Sequence, residues 1–205
     1  MKVESVRKLD RIDLYEVVNN GRNVFYVDPR GETAFVGRMV DLRTRENLTE
    51  RRIAELSHVE FSALPLERAI VTVKGSGARK LAVFSDPDCP YCKQLERELD
   101  GVGDVTIYTF LYPLTSIHPD AARKARLVWC APDRSRAWSE LMLRGREPEN
   151  AANCPSPLTE NLVLGEKLSI DGTPGIVFQS GRLVPGVIGR DLIERYLSER
   201  ELPSG

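Results

Sequence analysis

The chain of 205 residues lacks several features by which function is often recognised. Its 29 basic and 30 acidic residues leave a net charge of −1, so the composition indicates neither a nucleic acid nor an anionic membrane as partner. No apolar run approaches the length of a membrane span. The opening residues, Met1 to Ser5, lack the apolar stretch of a signal peptide. We therefore expect either a cytosolic protein or the mature form of an exported one.

Cysteine is also scarce, but two of the four cysteines, Cys89 and Cys92, are separated by only two residues. They follow an apolar run over 81–84 that is typical of a buried strand. Leu95 and Leu99 continue the helical spacing of Cys92, which predicts a helix that begins at or near Cys89. A C-x-x-C motif between a strand and a helix indicates a dithiol redox centre.

The two cysteines are predicted to have different tasks. A cysteine at a helix start lies at the positive end of the helix dipole, beside backbone N–H groups without intrahelical partners. Both features favour the thiolate, so we expect Cys89 to be the nucleophile. Cys92, one turn further on, is placed to attack a mixed disulfide formed at Cys89. Pro90 and Tyr91, the active-site dipeptide between them, are expected to tune the thiolate and the disulfide.

A zinc site is the main alternative for a C-x-x-C motif, but a structural zinc site takes four ligands. The other two cysteines, Cys130 and Cys154, do not form a second C-x-x-C pair. The two histidines, His58 and His118, are isolated in the sequence, and we assign neither a catalytic role. Two buried cysteines brought together by chance would not explain the strand–turn–helix context. We expect no metal and no cofactor.

Three segments are predicted along the chain. Residues 1–46 contain strand-like runs around a hairpin turn at Asn19-Asn20-Gly21, which predicts a small antiparallel sheet for association. Residues 47–62 begin with a capping box, Asn47 to Glu50, and form a linker helix with a thin apolar stripe. Residues 63–205 alternate strands and helices as a β-α-β half and a β-β-α half. The predicted class is α+β, with a thioredoxin-like domain and a helical insertion at about 119–169.

Thr173 and Pro174 open the third core strand of the predicted domain. In a thioredoxin-like domain the proline at this place is cis and faces the dithiol, and an X-Pro bond adopts cis at small cost. The backbone of Thr173 would then be available to pair with a substrate chain beside Cys89. The alternative is an ordinary turn proline, because Gly172 and Gly175 flank the pair.

Cys130 and Cys154 are predicted to form a structural disulfide. Cys130 ends a predicted helix, and Cys154 lies in a stretch rich in proline and asparagine. A bridge between them would contribute roughly 3–4 kcal/mol in the chain-entropy treatment of loop closure. The alternative is two free buried thiols. A disulfide would indicate an oxidising compartment.

Taken together, these residues resemble the DsbC/DsbG family of bacterial periplasmic thiol:disulfide isomerases. The resemblance covers nearly the whole chain and depends on the redox segment 84–92, Gly172-Thr173-Pro174, Leu183-Val184-Pro185-Gly186 and the insertion with Cys130 and Cys154. One departure is the Cys-Pro-Tyr-Cys sequence, because DsbC-like proteins usually carry Gly-Tyr between the cysteines.

The resemblance implies a V-shaped homodimer joined through an N-terminal cystatin-like sheet. It further implies a cleft that binds unfolded or misoxidised proteins, a periplasmic location and a DsbD-like membrane reductant that keeps the dithiol reduced. The predicted function is therefore a disulfide isomerase. Two alternatives stay open: an oxidase or reductase that uses the same dithiol, and a holdase whose cleft binds unfolded chains.

Overall fold

The computed structural model describes residues 3–19 and 23–199. The chain divides into two compact units, with the boundary between His58 and Val59. Among the described residues, no helix is both long enough and apolar enough to cross a membrane. The predicted α+β class is confirmed, since an antiparallel sheet comes first and a mixed sheet with helices follows.

The first unit is an antiparallel sheet with a helix. Its sheet has the strand order β1-β2-β3-β4, namely β1 (Val3–Lys8), β2 (Tyr15–Asn19), β3 (Asn23–Val27) and β4 (Ala34–Phe35). A separate pair follows, β5 (Val40–Asp41) and β6 (Glu46–Asn47), and then helix α1 (Leu48–Leu56). Asn20 and Gly21 of the predicted turn lie outside the described residues, but β2 and β3 pair antiparallel on either side of them.

Helix α1 packs on the sheet of its own unit. The Asn47 side chain accepts a hydrogen bond from the Glu50 N–H at 3.0 Å, as the capping box predicts. The apolar stripe of Ile53 and Leu56 contacts a buried cluster of Val18, Val24 and Tyr26. The boundaries predicted at 1–46, 47–62 and 63–205 stay predictions, and so does the linker role of the helix.

Strand β1 is an edge strand with both of its faces open. All six of its residues are exposed, including Val3 at 49% and Val6 at 58% of their full area. An edge strand presents unpaired backbone donors and acceptors on one side, so it can accept another strand.

The second unit is built on a five-stranded sheet. Its order is β11-β10-β8-β9-β7, with β7 (Ile70–Lys74), β8 (Arg79–Ser85), β9 (Val105–Leu111), β10 (Gly175–Phe178) and β11 (Leu183–Pro185). Strands β8 and β9 are parallel, and the other neighbours are antiparallel. The central strand β8 carries the apolar run predicted to be buried.

The side chains of β8 alternate between the two faces of the sheet, as a pleated strand requires. Leu81 and Val83 face a cluster that includes Leu95, Leu99 and Ile193. Ala82 and Phe84 face a second cluster, in which Phe84 stacks on Phe110 with ring centroids 4.8 Å apart. All four β8 residues have no exposed area. The strand is therefore covered on both faces. This packing holds β8, and with it the C-terminal end of the strand, in position.

Five α-helices complete the described part of the second unit. Helix α2 (Pro90–Asp100) follows β8, and helix α6 (Arg190–Leu197) follows β11. Between β9 and β10 lie three further helices, α3 (Ala121–Trp129), α4 (Arg134–Arg144) and α5 (Leu158–Lys167). These three helices form the helical insertion predicted from the sequence.

Helix α4 of the insertion is joined to α2 through a buried tryptophan. The Trp138 Nε1–H donates to Glu96 Oε1 at 2.7 Å, and Trp138 is only 2% exposed. Burial raises the pKa of Glu96 from 4.5 to about 7, although the hydrogen bond from Trp138 and the charge of Lys74 lower it. Glu96 lies one turn after Cys92 on the same helix, so α2 carries a carboxyl that titrates near neutral pH.

We predict that stability falls as the pH rises from about 4.5 to about 7 because of Glu96. In this range the folded protein holds a proton on Glu96 that the unfolded chain has lost, so the free energy of unfolding decreases with pH. Glu96→Gln should reduce this slope because glutamine does not titrate, and its amide oxygen can still accept the Trp138 hydrogen bond. Denaturant unfolding at several pH values measures the slope. Glu67→Gln, at an exposed carboxylate, is the control, and an unchanged slope in Glu96→Gln would contradict the prediction.

Candidate active site

The candidate site begins where β8 ends and α2 starts. The Cys89 N–H donates to the Asp86 carbonyl at 3.2 Å, which closes the turn between the two elements. Cys89 is the N-cap of α2, and Pro90 occupies the first helical position, where a missing N–H costs nothing. The sequence predicts this helix start, and the structure places it at the same residue.

The two sulfurs of the motif differ in their surroundings. Cys89 is 4% exposed, and its thiol donates to the Thr173 carbonyl at 3.4 Å. Cys92 has no exposed area, and its Sγ accepts the Asp86 N–H at 3.4 Å. Burial raises the pKa of Cys92 to about 12. A reagent can therefore approach Cys89 more readily, while Cys92 stays a thiol at neutral pH.

Thr173 and Pro174 lie beside the dithiol because β10 pairs with β8. The register sets Gly175 opposite Phe84, so the residues before β10 come next to the turn after β8. The Thr173–Pro174 peptide bond is cis. The Pro174 carbonyl accepts the Gly186 N–H at 2.7 Å. The structure thus brings Cys89, Cys92, Thr173 and Pro174 together.

The active-site dipeptide presents one large side chain outward. Tyr91 is 61% exposed, whereas most aromatic residues of this unit are buried. An exposed aromatic ring beside Cys89 is available for apolar contacts.

A buried carboxylate at the site is one residue that sequence reasoning missed. The Asp86 side chain has no exposed area and accepts the N–H of Asp88 and of Leu114, both at 2.7 Å. It also lies 3.1 Å from Nδ1 of His118. His118, which received no role from the sequence, therefore borders the site. The signal available in the sequence was an aspartate directly after the strand that carries the apolar run 81–84, three residues before Cys89.

A second missed feature is an ion pair next to Cys89. Lys124 Nζ of α3 lies 2.5 Å from Oδ1 of Asp88, the residue before Cys89. The two side chains are 20% and 19% exposed.

Cys130 and Cys154 form a disulfide away from the dithiol, with their Cα atoms 5.7 Å apart. Cys130 caps the C-terminus of α3, and Cys154 lies in the segment before α5. The same segment is held by the Trp129 Nε1–H, which donates to the Pro155 carbonyl at 3.0 Å. The bond therefore joins a helix end to a segment without regular structure.

Metal ligands do not cluster in the part of the chain that the structure describes: it contains no group of three or more His, Cys, Asp or Glu residues that could hold an ion. The candidate site is composed of thiols, backbone carbonyls and charged side chains. A dithiol at the first helix start after a central strand, beside a cis-proline, defines a thioredoxin-like protein.

Comparison with known proteins agrees with this class. A family profile described as a thioredoxin-like domain matches residues 66–201, and one described as the disulfide bond isomerase protein N-terminal domain matches residues 1–50. A crystal structure of a disulfide interchange protein from Neisseria gonorrhoeae is 44% identical with a TM-score of 0.63, covering 66% of this chain and all of that one (100%).

Two curated relatives extend over most of the chain. A probable thiol:disulfide interchange protein DsbC from Bordetella pertussis is 43% identical over 90% of this chain. The DsbC protein from Escherichia coli K12 is 25% identical over 90% of this chain and 76% of its own length. The chain spans 64% of the length of the Bordetella relative. The chain belongs to the DsbC family of thiol:disulfide interchange proteins, which confirms the resemblance inferred from its motifs.

We predict that an alkylating reagent modifies Cys89 and spares Cys92 in the reduced protein. The Cys92 thiol stays protonated below a pH of about 12, and its burial blocks the reagent. Iodoacetamide labelling followed by peptide mass mapping measures both sites. Cys92→Ser should keep the reactivity of Cys89, whereas Cys89→Ser should leave a protein that reacts slowly even at pH 9. Faster labelling of Cys92 than of Cys89 would reverse the assignment.

Proposed function

We propose that this protein is a thiol:disulfide isomerase that rearranges non-native disulfides in unfolded proteins through Cys89 and Cys92. The observation that carries the proposal is the asymmetry of the two sulfurs. Cys89 caps a helix and keeps a small exposed area of 4% beside the Thr173 carbonyl, while Cys92, one turn along, has no exposed area. Family membership supports the same reaction class.

The reaction begins when the Cys89 thiolate attacks one sulfur of a substrate disulfide. A bond forms between the two sulfurs, the substrate S–S bond breaks, and the second substrate sulfur leaves as a thiolate. Thr173 would hold the substrate chain through its backbone, and Tyr91 would contact its apolar side chains. Both groups lie next to Cys89, so the attacked disulfide is kept within reach.

The mixed disulfide can then resolve in two ways. A substrate thiolate can attack the substrate sulfur bound to Cys89, which forms a new substrate disulfide and releases the Cys89 thiolate. Alternatively, Cys92 loses its proton and attacks the Cys89 sulfur, which oxidises the dithiol and releases reduced substrate. The raised pKa of Cys92, about 12, slows the second path. This gives the substrate time to isomerise.

The partners follow from the same proposal. Substrates are unfolded or misoxidised proteins, and net oxidation of the dithiol requires an external thiol reductant, for which a DsbD-like membrane protein is the proposed source. We propose a periplasmic location, which the Cys130–Cys154 disulfide supports because such bonds persist in oxidising compartments. A dimer through the first unit would set two dithiols to act on one substrate chain.

Refolding of a protein with scrambled disulfides tests the proposed reaction. In a glutathione buffer the wild-type protein should restore native pairing, and Cys89→Ala should lower the rate to that of the buffer alone. Cys92→Ala should retain part of the isomerisation and accumulate mixed disulfides, since only the path through a substrate thiol remains. Equal activity of Cys89→Ala and wild type would refute the proposal. If a protein without both cysteines still prevented aggregation fully, the holdase would be favoured.

The proposed dimer has a separate test. We expect sedimentation to give the mass of two chains, with the exposed edge strand β1 at the interface. Val6→Asp places a charge on that edge and should shift the equilibrium to single chains. Val71→Asp is the matched control, because Val71 is a 47% exposed valine on β7, an edge strand of the five-stranded sheet in the second unit. A single-chain mass for the wild type, or equal behaviour of the two variants, would contradict this interface.

A further inference from the structure

We propose that Lys124 is a positioning residue for the dithiol: its ammonium group compensates the charge of Asp88 and thereby keeps Cys89 available as a thiolate. The inference rests on the proposed role of Cys89 as the attacking sulfur. It assigns the helical insertion a part in the reaction, since Lys124 belongs to α3.

The geometry ties α3 directly to the turn before the nucleophile. Lys124 Nζ lies 2.5 Å from Asp88 Oδ1, and Asp120 Oδ2 lies 3.5 Å from the same ammonium. Asp88 is itself fixed, because its N–H donates to Asp86 Oδ1 at 2.7 Å. About four-fifths of the area of each side chain in the Lys124–Asp88 pair is covered, with 20% and 19% exposed. Screening by water and salt is weaker there than at a fully exposed pair.

The charges around the turn show why this cation matters. Two carboxylates, Asp86 and Asp88, lie within three residues before Cys89. Asp86 is held by two backbone N–H groups and by the ring of His118. Asp88 is held by Lys124, whose pKa is raised by the hydrogen bond to Asp88, so that the ammonium stays charged at neutral pH. Three other charged groups lie near Lys124. They are Asp120 directly before α3, Arg123 on α3 and Glu147 between α4 and α5, and Arg123 pairs with both carboxylates.

Removal of the ammonium would leave the carboxylate of Asp88, the residue directly before Cys89, without this compensating charge. A nearby negative charge disfavours a second one, so the thiolate of Cys89 would become scarcer at neutral pH. Attack on a substrate disulfide would slow, because the thiolate is the nucleophile. Release of the isomerised substrate would slow too, since Cys89 is then the leaving group. The thiolate exists only in the reduced form of the dithiol, so the reduced form would become less stable relative to the disulfide. The dithiol would therefore become a stronger reductant.

A double-mutant cycle on the full chain tests the inference. Lys124→Gln should lower the alkylation rate of Cys89 at pH 7 by about threefold to tenfold and move the midpoint of its pH profile upward. Asp88→Asn should raise the alkylation rate and move the midpoint of the pH profile downward. The double variant should have a rate and a midpoint near those of the wild type, since it lacks both charges. Arg126→Gln, which removes an exposed cation from the same helix, is the control and should leave the rate unchanged.

A second measurement separates a charge effect from a loss of structure. The equilibrium with glutathione should shift toward the disulfide form in Lys124→Gln and return in the double variant. If Lys124 only held α3 in place, the double variant would be at least as impaired as Lys124→Gln, and that result would overturn the inference. Equal alkylation of all variants would also overturn it. The readout is the reactivity of Cys89 and not the rate of isomerisation. A failure of this inference can therefore be told apart from a failure of the proposed function.

Discussion

The geometry of the site depends on the buried carboxylate of Asp86. It accepts hydrogen bonds from Asp88 and Leu114, and its own N–H points at the Cys92 sulfur. One residue therefore joins the end of β8, the turn before Cys89 and the segment after β9. A buried charge is tolerated only when such donors surround it, so these elements are required to keep one arrangement. The residues around the dithiol are thus held in place by the hydrogen bonds that satisfy this carboxylate.

Much of the fold could be predicted from the sequence because its signals are local. The apolar run of β8, the helical spacing after Cys92 and the capping box at Asn47 each depend on residues within a few positions of one another. The division into a β-α-β half and a β-β-α half follows from the alternation of the elements. The cysteine motif then identifies the helix start that carries the chemistry. Such patterns can be recognised without knowledge of the tertiary structure.

The missed residues belong to pairs that the fold brings together. Asp86 and His118 are 32 positions apart, Asp88 and Lys124 are 36 apart, and Glu96 and Trp138 are 42 apart. In the sequence each of these residues resembles an ordinary surface or helix residue, because nothing nearby indicates its partner. Only the packing of the insertion against the redox helix joins them. A charge at an active site is therefore harder to predict than a thiol.

All three pairs connect the dithiol region to residues between β9 and β10. His118 precedes α3, Lys124 lies on it, and Trp138 lies on α4. The Cys130–Cys154 disulfide fixes the end of α3 to the segment that leads into α5. The insertion thus does more than enlarge the domain. It supplies the partners for three carboxyl groups on or next to the redox helix, and the covalent bond limits how far those partners can move. Because each carboxyl group lies within a few residues of Cys89 or Cys92, the electrostatics of the dithiol depend on how this insertion is packed.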